Sequence, residues 1–195
     1  MAEFIQLLIF GIVFGSILTL GAIGVSLIFG ILRFAHFAHG DMMTLGAYFA
    51  LIFIGTWGWP LYLALPAAMA LSALAAILID QTVYRRLRQT APVILLISSF
   101  GMALILRAIV QLIWGTGNQV YVDGISLPHV IGDIRIKPDH LIIVGGAILL
   151  VIAFHLFLQK TKIGKAMRAM SDNVDLARVS GIDSERVVMW TWVIG

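Results

Sequence analysis

The chain has no cysteine among its 195 residues. Disulfides, thiolate nucleophiles and cysteine metal sites are thereby excluded, while the redox compartment stays open. Charge is almost as scarce. Charged residues make up 12% of the chain, against about a quarter in a soluble domain. Before Asp80 the only charged residues are Glu3, Arg33 and Asp41. The opening Met1-Ala2-Glu3 offers no basic region, so no cleaved signal peptide is read and the first helix is expected to remain. No catalytic grouping of Ser, His and Asp stands out, and no Gly-x-Ser-x-Gly is present. Gly164-Lys165 resembles the end of a phosphate loop. However, Gln159 stands where its first glycine belongs and Ala166 where Ser or Thr belongs. ATP is therefore not bound by that route.

What fills the chain is sequence fit for hydrocarbon. Hydrophobic residues make up 61%, and the mean hydropathy is +1.01. Several apolar runs approach or exceed the roughly 20 residues that cross a bilayer. They are continuous, which excludes the alternation of a β-barrel. The fold class is all-α: a polytopic transmembrane helical bundle, read as a single domain over 1–195. The net charge of +3 does not point to nucleic acid, because the basic residues sit in loops beside spans.

Spans are expected at about 4–32, 42–56, 61–83, 92–114 and 140–158. In the first, Gly11 and Gly15 have GxxxG spacing and Gly21 and Gly24 follow, as in a helix packed inside a bundle. Trp57 and Trp59 suit a membrane–water interface, and Pro60 is read as the stop of the second span. Thr90 is the expected cap of the fourth, with Pro92 in its first turn. Residues 115–139 are turn-rich, with room for a short hairpin. After 186 the sequence is apolar again but only nine residues remain. A further span is expected to start at 187–195, so the chain reads as a C-terminally truncated version of a longer protein.

Basic residues give the sidedness. Segment 84–91 has three and segment 159–186 has six, against two in 115–139 and none in 55–60. Positive-inside logic puts the first two in the cytoplasm and 115–139 outside. The side of the N-terminus stays open. It depends on whether 4–32 and 42–56 both cross or form one crossing with a re-entrant break.

Residues 33–41, Arg-Phe-Ala-His-Phe-Ala-His-Gly-Asp, interrupt the first apolar stretch. One reading is a short interfacial loop. The other is a broken helix whose freed backbone lines a pathway. His36, His39 and Asp41 lack a third strong ligand at helical spacing, with Gly40 breaking the pattern, and no metal is assigned. Arg107 lies about seven residues from the outer end of its span. It either snorkels to the interface or faces an internal polar pathway. Gln111 shares its helix face.

The cytoplasmic segment 164–183 is amphipathic. Ile163, Ala166, Met167, Met170, Val174 and Ala177 fall on one helix face. Ser171 or Asp172 is an alternative cap for a second short helix, and Gly181 is the natural stop. The small apolar face, without Trp or Phe, suits a protein partner better than a lipid surface.

Two stretches carry a family resemblance. Gly21-Ala22-Ile23-Gly24 to Ile28-Phe29-Gly30-Ile31 is followed by Phe34-Ala35-His36-Phe37-Ala38-His39-Gly40-Asp41-Met42-Met43-Thr44-Leu45-Gly46-Ala47-Tyr48. This resembles the branched-chain amino acid ABC transporter permeases, high-affinity type, first of the two permease subunits. Those proteins carry an Asn-Phe-Ala-His-Gly-Glu-like stretch before Met-Leu-Gly-Ala-Tyr. Here His36 stands at the usual Asn and Asp41 at the usual Glu. Lys165–Ile182 is similar to the family's cytoplasmic loop. The resemblance implies a multi-pass protein of the bacterial inner membrane, embedded in lipid and working without cofactor or metal. A second permease subunit, ABC ATPase subunits and a periplasmic substrate-binding protein would be its partners. The chain itself would not be an enzyme. Arg33, Phe34, His36, Phe37, His39, Gly40, Asp41 and Arg107 would form the pathway or helix break. Gly164, Met167, Arg168, Met170, Asp172, Ala177 and Gly181 would form the ATPase-coupling loop. Within the family, urea or short amides are the alternative cargo. Outside it, a secondary transporter or channel would need an intramembrane carboxylate, and only Asp80 qualifies.

Overall fold

The structure is a computed structural model. It describes residues 2–121, 129–131 and 134–195, with side chains described for 3–121 and 137–195. The expected turns at Asp123-Gly124, Pro128 and Gly132 lie outside the described residues.

Helix α1 runs Ala2–Leu32, α2 His39–Gly55 and α3 Leu61–Ile79. A π-helical turn, Asp80–Tyr84, carries α3 into the short α4, Arg85–Leu87. Helix α5 spans Pro92–Trp114. Strands β1 (His129–Ile131) and β2 (Ile134–Ile136) pair antiparallel, with His129 opposite Ile136. Then follow α6 (Pro138–Lys160), α7 (Lys162–Asp172), α8 (Val174–Val179) and α9 (Ser184–Ile194). Among the described residues, four helices are long and apolar enough to cross a membrane: Glu3–Leu32, Leu61–Leu87, Pro92–Trp114 and Pro138–Lys160. Helix α2, with 17 residues, is about 25 Å long at 1.5 Å per residue.

Several boundaries differ from the sequence reading, each for a local reason. Helix α2 starts at His39, so Gly40 and Asp41 lie in its first turn rather than in the break. An acid there is favoured by the helix dipole. It ends at Gly55, and Pro60 instead forms the N-cap of α3. Thr90 does not cap α5. Its hydroxyl donates to the Leu87 carbonyl at 2.6 Å, and Ala91 precedes Pro92 without a side-chain cap. The amphipathic segment is two helices, broken at Asn173. Neither Ser171 nor Asp172 caps the second. The Asn173 side chain does, accepting from the Leu176 amide at 3.0 Å. Gly181 ends α8 as expected, with φ +83°. Gly181 N–H donates to Arg178 O and Ile182 N–H to Ala177 O, a Schellman closure.

Two buried clusters hold the bundle. The larger joins α1 (Ile28, Ile31), the break (Phe34), Tyr84, α5 (Leu95), α7 (Met167, Met170), α8 (Ala177) and α9 (Val187, Val188, Trp192). The smaller joins Ala38 and Leu45 to Ala103, Leu106 and Val110 of α5. Helix α1 is not enclosed within the chain. None of its described residues before Gly24 is buried, and Gly11 and Gly15 face open space. Its close approaches are made lower down, by Gly21 to Met43, Gly24 to His39 and Gly30 to Ser171.

Helices α1 and α6 run parallel. Phe10 meets His140 at one end, and Arg33 meets Ser171 at the other. Helix α2 returns toward Trp114 and Tyr121 through Tyr48 and Ala47. The N-terminal end of α1 thus lies on the side of residues 115–121, which the charge rule places outside.

The turn between α6 and α7 is tight. Thr161 donates to Phe157 O at 2.7 Å and accepts from Gly164 N–H at 2.9 Å. A Cβ on Gly164 would overlap the Phe157 carbonyl oxygen and the Leu158 backbone. Gly164→Ala should therefore lower stability by about 1–3 kcal/mol, the usual cost of overpacking against atoms that cannot yield. Gly145→Ala, at a helical glycine with open space, should leave stability unchanged or slightly higher. Thermal unfolding in detergent reads both.

Candidate functional site: the helix break and its anchors

Backbone freed from a helix inside a membrane must find protein or water partners. At residues 33–38 the backbone finds one on α5, in the Ser99 hydroxyl, while the side chains anchor on α7, Tyr84 and α9. The break opens at Arg33, whose backbone is left-handed, φ +58°. That conformation costs a non-glycine residue about 1 kcal/mol or more, so surrounding contacts must hold it. The Arg33 guanidinium donates to the Ser171 carbonyl in the last turn of α7. Carbonyls there have no intrahelical partner, and a cation suits them.

The next residues turn inward. Phe34 and His36 are buried. Phe34 lies tilted on Tyr84 at 5.5 Å, and His36 stands edge-on to Tyr84 and Trp192 at 5.3 and 5.1 Å. His36 Nε2 sits 3.4 Å from the Met42 sulfur. The Phe37 amide donates to the Ser99 hydroxyl of α5 at 3.2 Å, while the Phe37 ring is exposed. Ser99, fully buried, donates in turn to Leu96 O at 2.8 Å. His39 is buried against Gly24, where a Cβ would come within 2.5 Å of the ring. Gly40 has open space around it. No group of three or more His, Cys, Asp or Glu residues capable of holding a metal occurs among the described residues.

Asp41 and Arg107 come together across α2 and α5, with Arg107 Nε donating to Asp41 Oδ1 at 3.1 Å. Of the two readings of Arg107, the structure supplies a charged partner on a neighbouring helix. The pair opens onto a cavity of about 430 Å³ lined also by Thr44, Tyr48, Gln111, Asn118, Gln119 and Tyr121. A second cavity, about 420 Å³, has mostly apolar walls: Met42, Met43, Ala50, Leu65, Ala68 and Met69, with His39 and Ser72. Ala47 and Tyr121 line both. The Tyr121 hydroxyl donates to Ala47 O at 3.1 Å. Burial pushes this phenol up from its ordinary range, so it stays a donor at neutral pH.

A network missed in the sequence lies at the end that the charge rule places in the cytoplasm. The π turn places Asp80 and Tyr84 in the interior. Asp80 pairs with Arg88, which also reaches Glu185 of α9 at 2.9 Å, and Arg85 reaches Glu185 at 3.2 Å. Tyr84 stacks on Trp192 with an interplanar angle of 3°. Asp80, the carboxylate a secondary transporter would need free, is thus bound by Arg88. Ser99, Trp192 and this network carried no signal beyond single polar or aromatic residues in apolar runs.

The residues expected to form the coupling loop divide. Met167, Met170 and Ala177 are 1%, 2% and 4% exposed and lie in the chain's own core. The expectation that a partner buries them is corrected: the amphipathic face packs on its own bundle. Lys165, Arg168, Asp172, Leu176 and Val179 form the exposed side. Leu176 and Val179 are 65% and 87% exposed, large values for aliphatic residues.

Removing one member of a buried ion pair leaves its partner uncompensated. Arg88→Ala should cost about 3 kcal/mol or more in unfolding, because Asp80 is left as a buried lone carboxylate. Arg86→Ala, at an exposed position, should change stability by less than about 0.5 kcal/mol. Denaturation of the two variants side by side in detergent checks the difference.

Comparison with known proteins follows this geometry. The family profile described as branched-chain amino acid transport system / permease component matches residues 7–195. The high-affinity branched-chain amino acid transport system permease protein LivH of Escherichia coli K12 is 28% identical over 205 residues, covering 98% of this chain and 67% of its own length. BraD of Pseudomonas aeruginosa, described in the same words, is 28% identical over 206 residues, covering 99% and 67%. A probable branched-chain amino acid transport permease protein LivH of Methanocaldococcus jannaschii is 28% identical over 189 residues, covering 94% and 60%. The chain thus spans about two thirds of the length of the first two. No solved structure matches it. The chain is a multi-pass integral membrane protein and belongs to the family of branched-chain amino acid transport system permease components.

Proposed function

We propose that this chain forms one side of the translocation pathway of an ATP-driven importer in the inner membrane, with branched-chain amino acids as cargo. One observation carries the reading. The break between α1 and α2 is tied to both ends of the machine, through Arg33 to cytoplasmic α7 and through Asp41 to Arg107 beside a polar cavity. Residues 1–195 act as one membrane domain, and segment 159–186 is its coupling loop. Arg33, Phe34, His36, Phe37, His39, Gly40, Asp41 and Arg107 serve the pathway.

ATP hydrolysis belongs to ABC ATPase subunits, in keeping with the missing phosphate loop. They dock on the exposed side of α7–α8, where Arg168 and Asp172 supply polar contacts and Leu176 and Val179 apolar ones. Met167, Met170 and Ala177 support that surface from beneath, and Gly164 and Gly181 fix its two ends. A second permease subunit completes the pathway, and a periplasmic binding protein delivers the cargo. Nucleotide binding then biases a two-state motion through the coupling loop.

Reconstitution of the full transporter with its ATPase and binding proteins tests this. Leucine uptake that depends on ATP is expected, and uptake without the ATPase subunits would overturn the reading. Leu176→Asp together with Val179→Asp should leave insertion intact and cut uptake at least about tenfold, since a desolvated docking contact is worth 1.4 kcal/mol or more. Undiminished uptake in that double variant would remove the docking surface.

Sidedness gives a second test. Because the chain lacks cysteine, single reporters label without background. A cysteine at Thr116 should react from outside and one at Lys162 from inside. The reverse pattern would invert the topology.

A further inference from the structure

We propose that Asp41 and Arg107 form a transit site for a zwitterionic amino acid, with Arg107 taking the carboxylate and Asp41 the ammonium. This rests on the transport reading above and deepens it.

Depth is the first argument. Arg107 lies seven residues from Trp114, the end of α5, which is about 10 Å along the helix axis. Its side chain is 61% exposed, while that of Asp41 is 14% exposed. A guanidinium at that depth is not left to lipid; it faces protein or a water-filled cavity. The polar cavity beside it answers that requirement.

Bond geometry is the second. Among the described residues, Asp41 engages Arg107 only through Nε. The two Nη amines, which form the fork of bidentate carboxylate recognition, have no described partner. Asp41 in turn accepts one bond at Oδ1. The pair is joined by a single contact, and each member keeps capacity for an opposite charge.

Matching of charge and shape is the third. A zwitterion brings one charge of each sign, so both members of the pair stay compensated when it enters. An amine alone or an acid alone would match only one of them, so the pair favours a ligand that carries both charges. The cavity, about 430 Å³, falls in the size range of small-molecule sites. The apolar cavity meets it at Ala47 and Tyr121, so an aliphatic side chain finds apolar wall next to the head-group site.

The test uses the complete transporter with a cysteine at Thr116, an exposed residue of the cavity lining. Maleimide labelling of that cysteine is timed with leucine, 3-methylbutylamine, 4-methylpentanoate or urea present, and leucine uptake is measured on the same preparation. Leucine at about nine times its dissociation constant should slow labelling by roughly tenfold, as nine-tenths occupancy requires. The amine, the acid and urea should not slow it. Asp41→Asn and Arg107→Gln should each abolish the protection, and Arg107→Lys should weaken it.

Equal protection by the one-charge analogues would overturn the site, as would full protection in either neutral variant. The analogue comparison needs no substitution at the pair, so it decides the matter even where a variant fails to insert. Leucine uptake without leucine protection overturns this site alone. Absence of leucine uptake overturns the transport reading and the site with it.

Discussion

A membrane interior offers no water to an unpaired backbone group, and the break between α1 and α2 has to meet that constraint. One contact around residues 33–38 satisfies that backbone, and the others pack its side chains. Ser99 accepts the Phe37 amide from α5. Arg33 holds its left-handed turn by reaching Ser171. His36 is boxed by Phe34, Tyr84 and Trp192. These contacts bring α5, α7, α9 and the π turn around the break. The break is therefore the point where the bundle's elements meet, and a shift in any of them is felt there.

The π turn and α4 repeat the pattern with charge. Asp80 is buried and pairs with Arg88, and Glu185 draws Arg85 and Arg88 toward α9. The Asp80–Arg88 pair, buried this way, adds little net stability but is costly to break. The exposed Glu185 joins this segment to α9 through Arg85 and Arg88. Trp192, on α9, then presses on both Tyr84 and His36. A shift of α7 or α9 has a short physical route to the break, through packed rings and one arginine.

Much of this was legible in the residues. Apolar runs gave the long helices, because span length follows from bilayer thickness. Polar residues at 33–41 marked the break, because their cost in lipid is high. The start of α2 was misplaced because His39-Gly40-Asp41 has loop composition, although an acid suits a helix N-terminus. The Asp80–Arg88 pair was hidden by the π turn. Residues eight apart on a regular α-helix lie about 80° apart around the axis, and a wider turn changes that register. The apolar face of 163–177 was readable from periodicity. Its partner was not, because periodicity says that a face is buried and not what buries it. Ser99 is one hydroxyl in a long apolar helix, and nothing in its neighbourhood distinguishes it from Ser98.

The central claim is that α7 rides on the break, so that cytoplasmic motion reaches the pathway through a direct contact. Gly30 and Ser171 stand at that contact, where a Cβ on Gly30 would lie 3.2 Å from the Ser171 hydroxyl, close to the separation a disulfide spans. The most direct measurement is oxidative cross-linking of a Gly30→Cys, Ser171→Cys variant in the assembled transporter, with uptake followed before and after reduction. The account predicts that the cross-link forms in the resting state, stops uptake and releases it on reduction. A transporter that runs at full rate while cross-linked, or a pair that never cross-links, would contradict it.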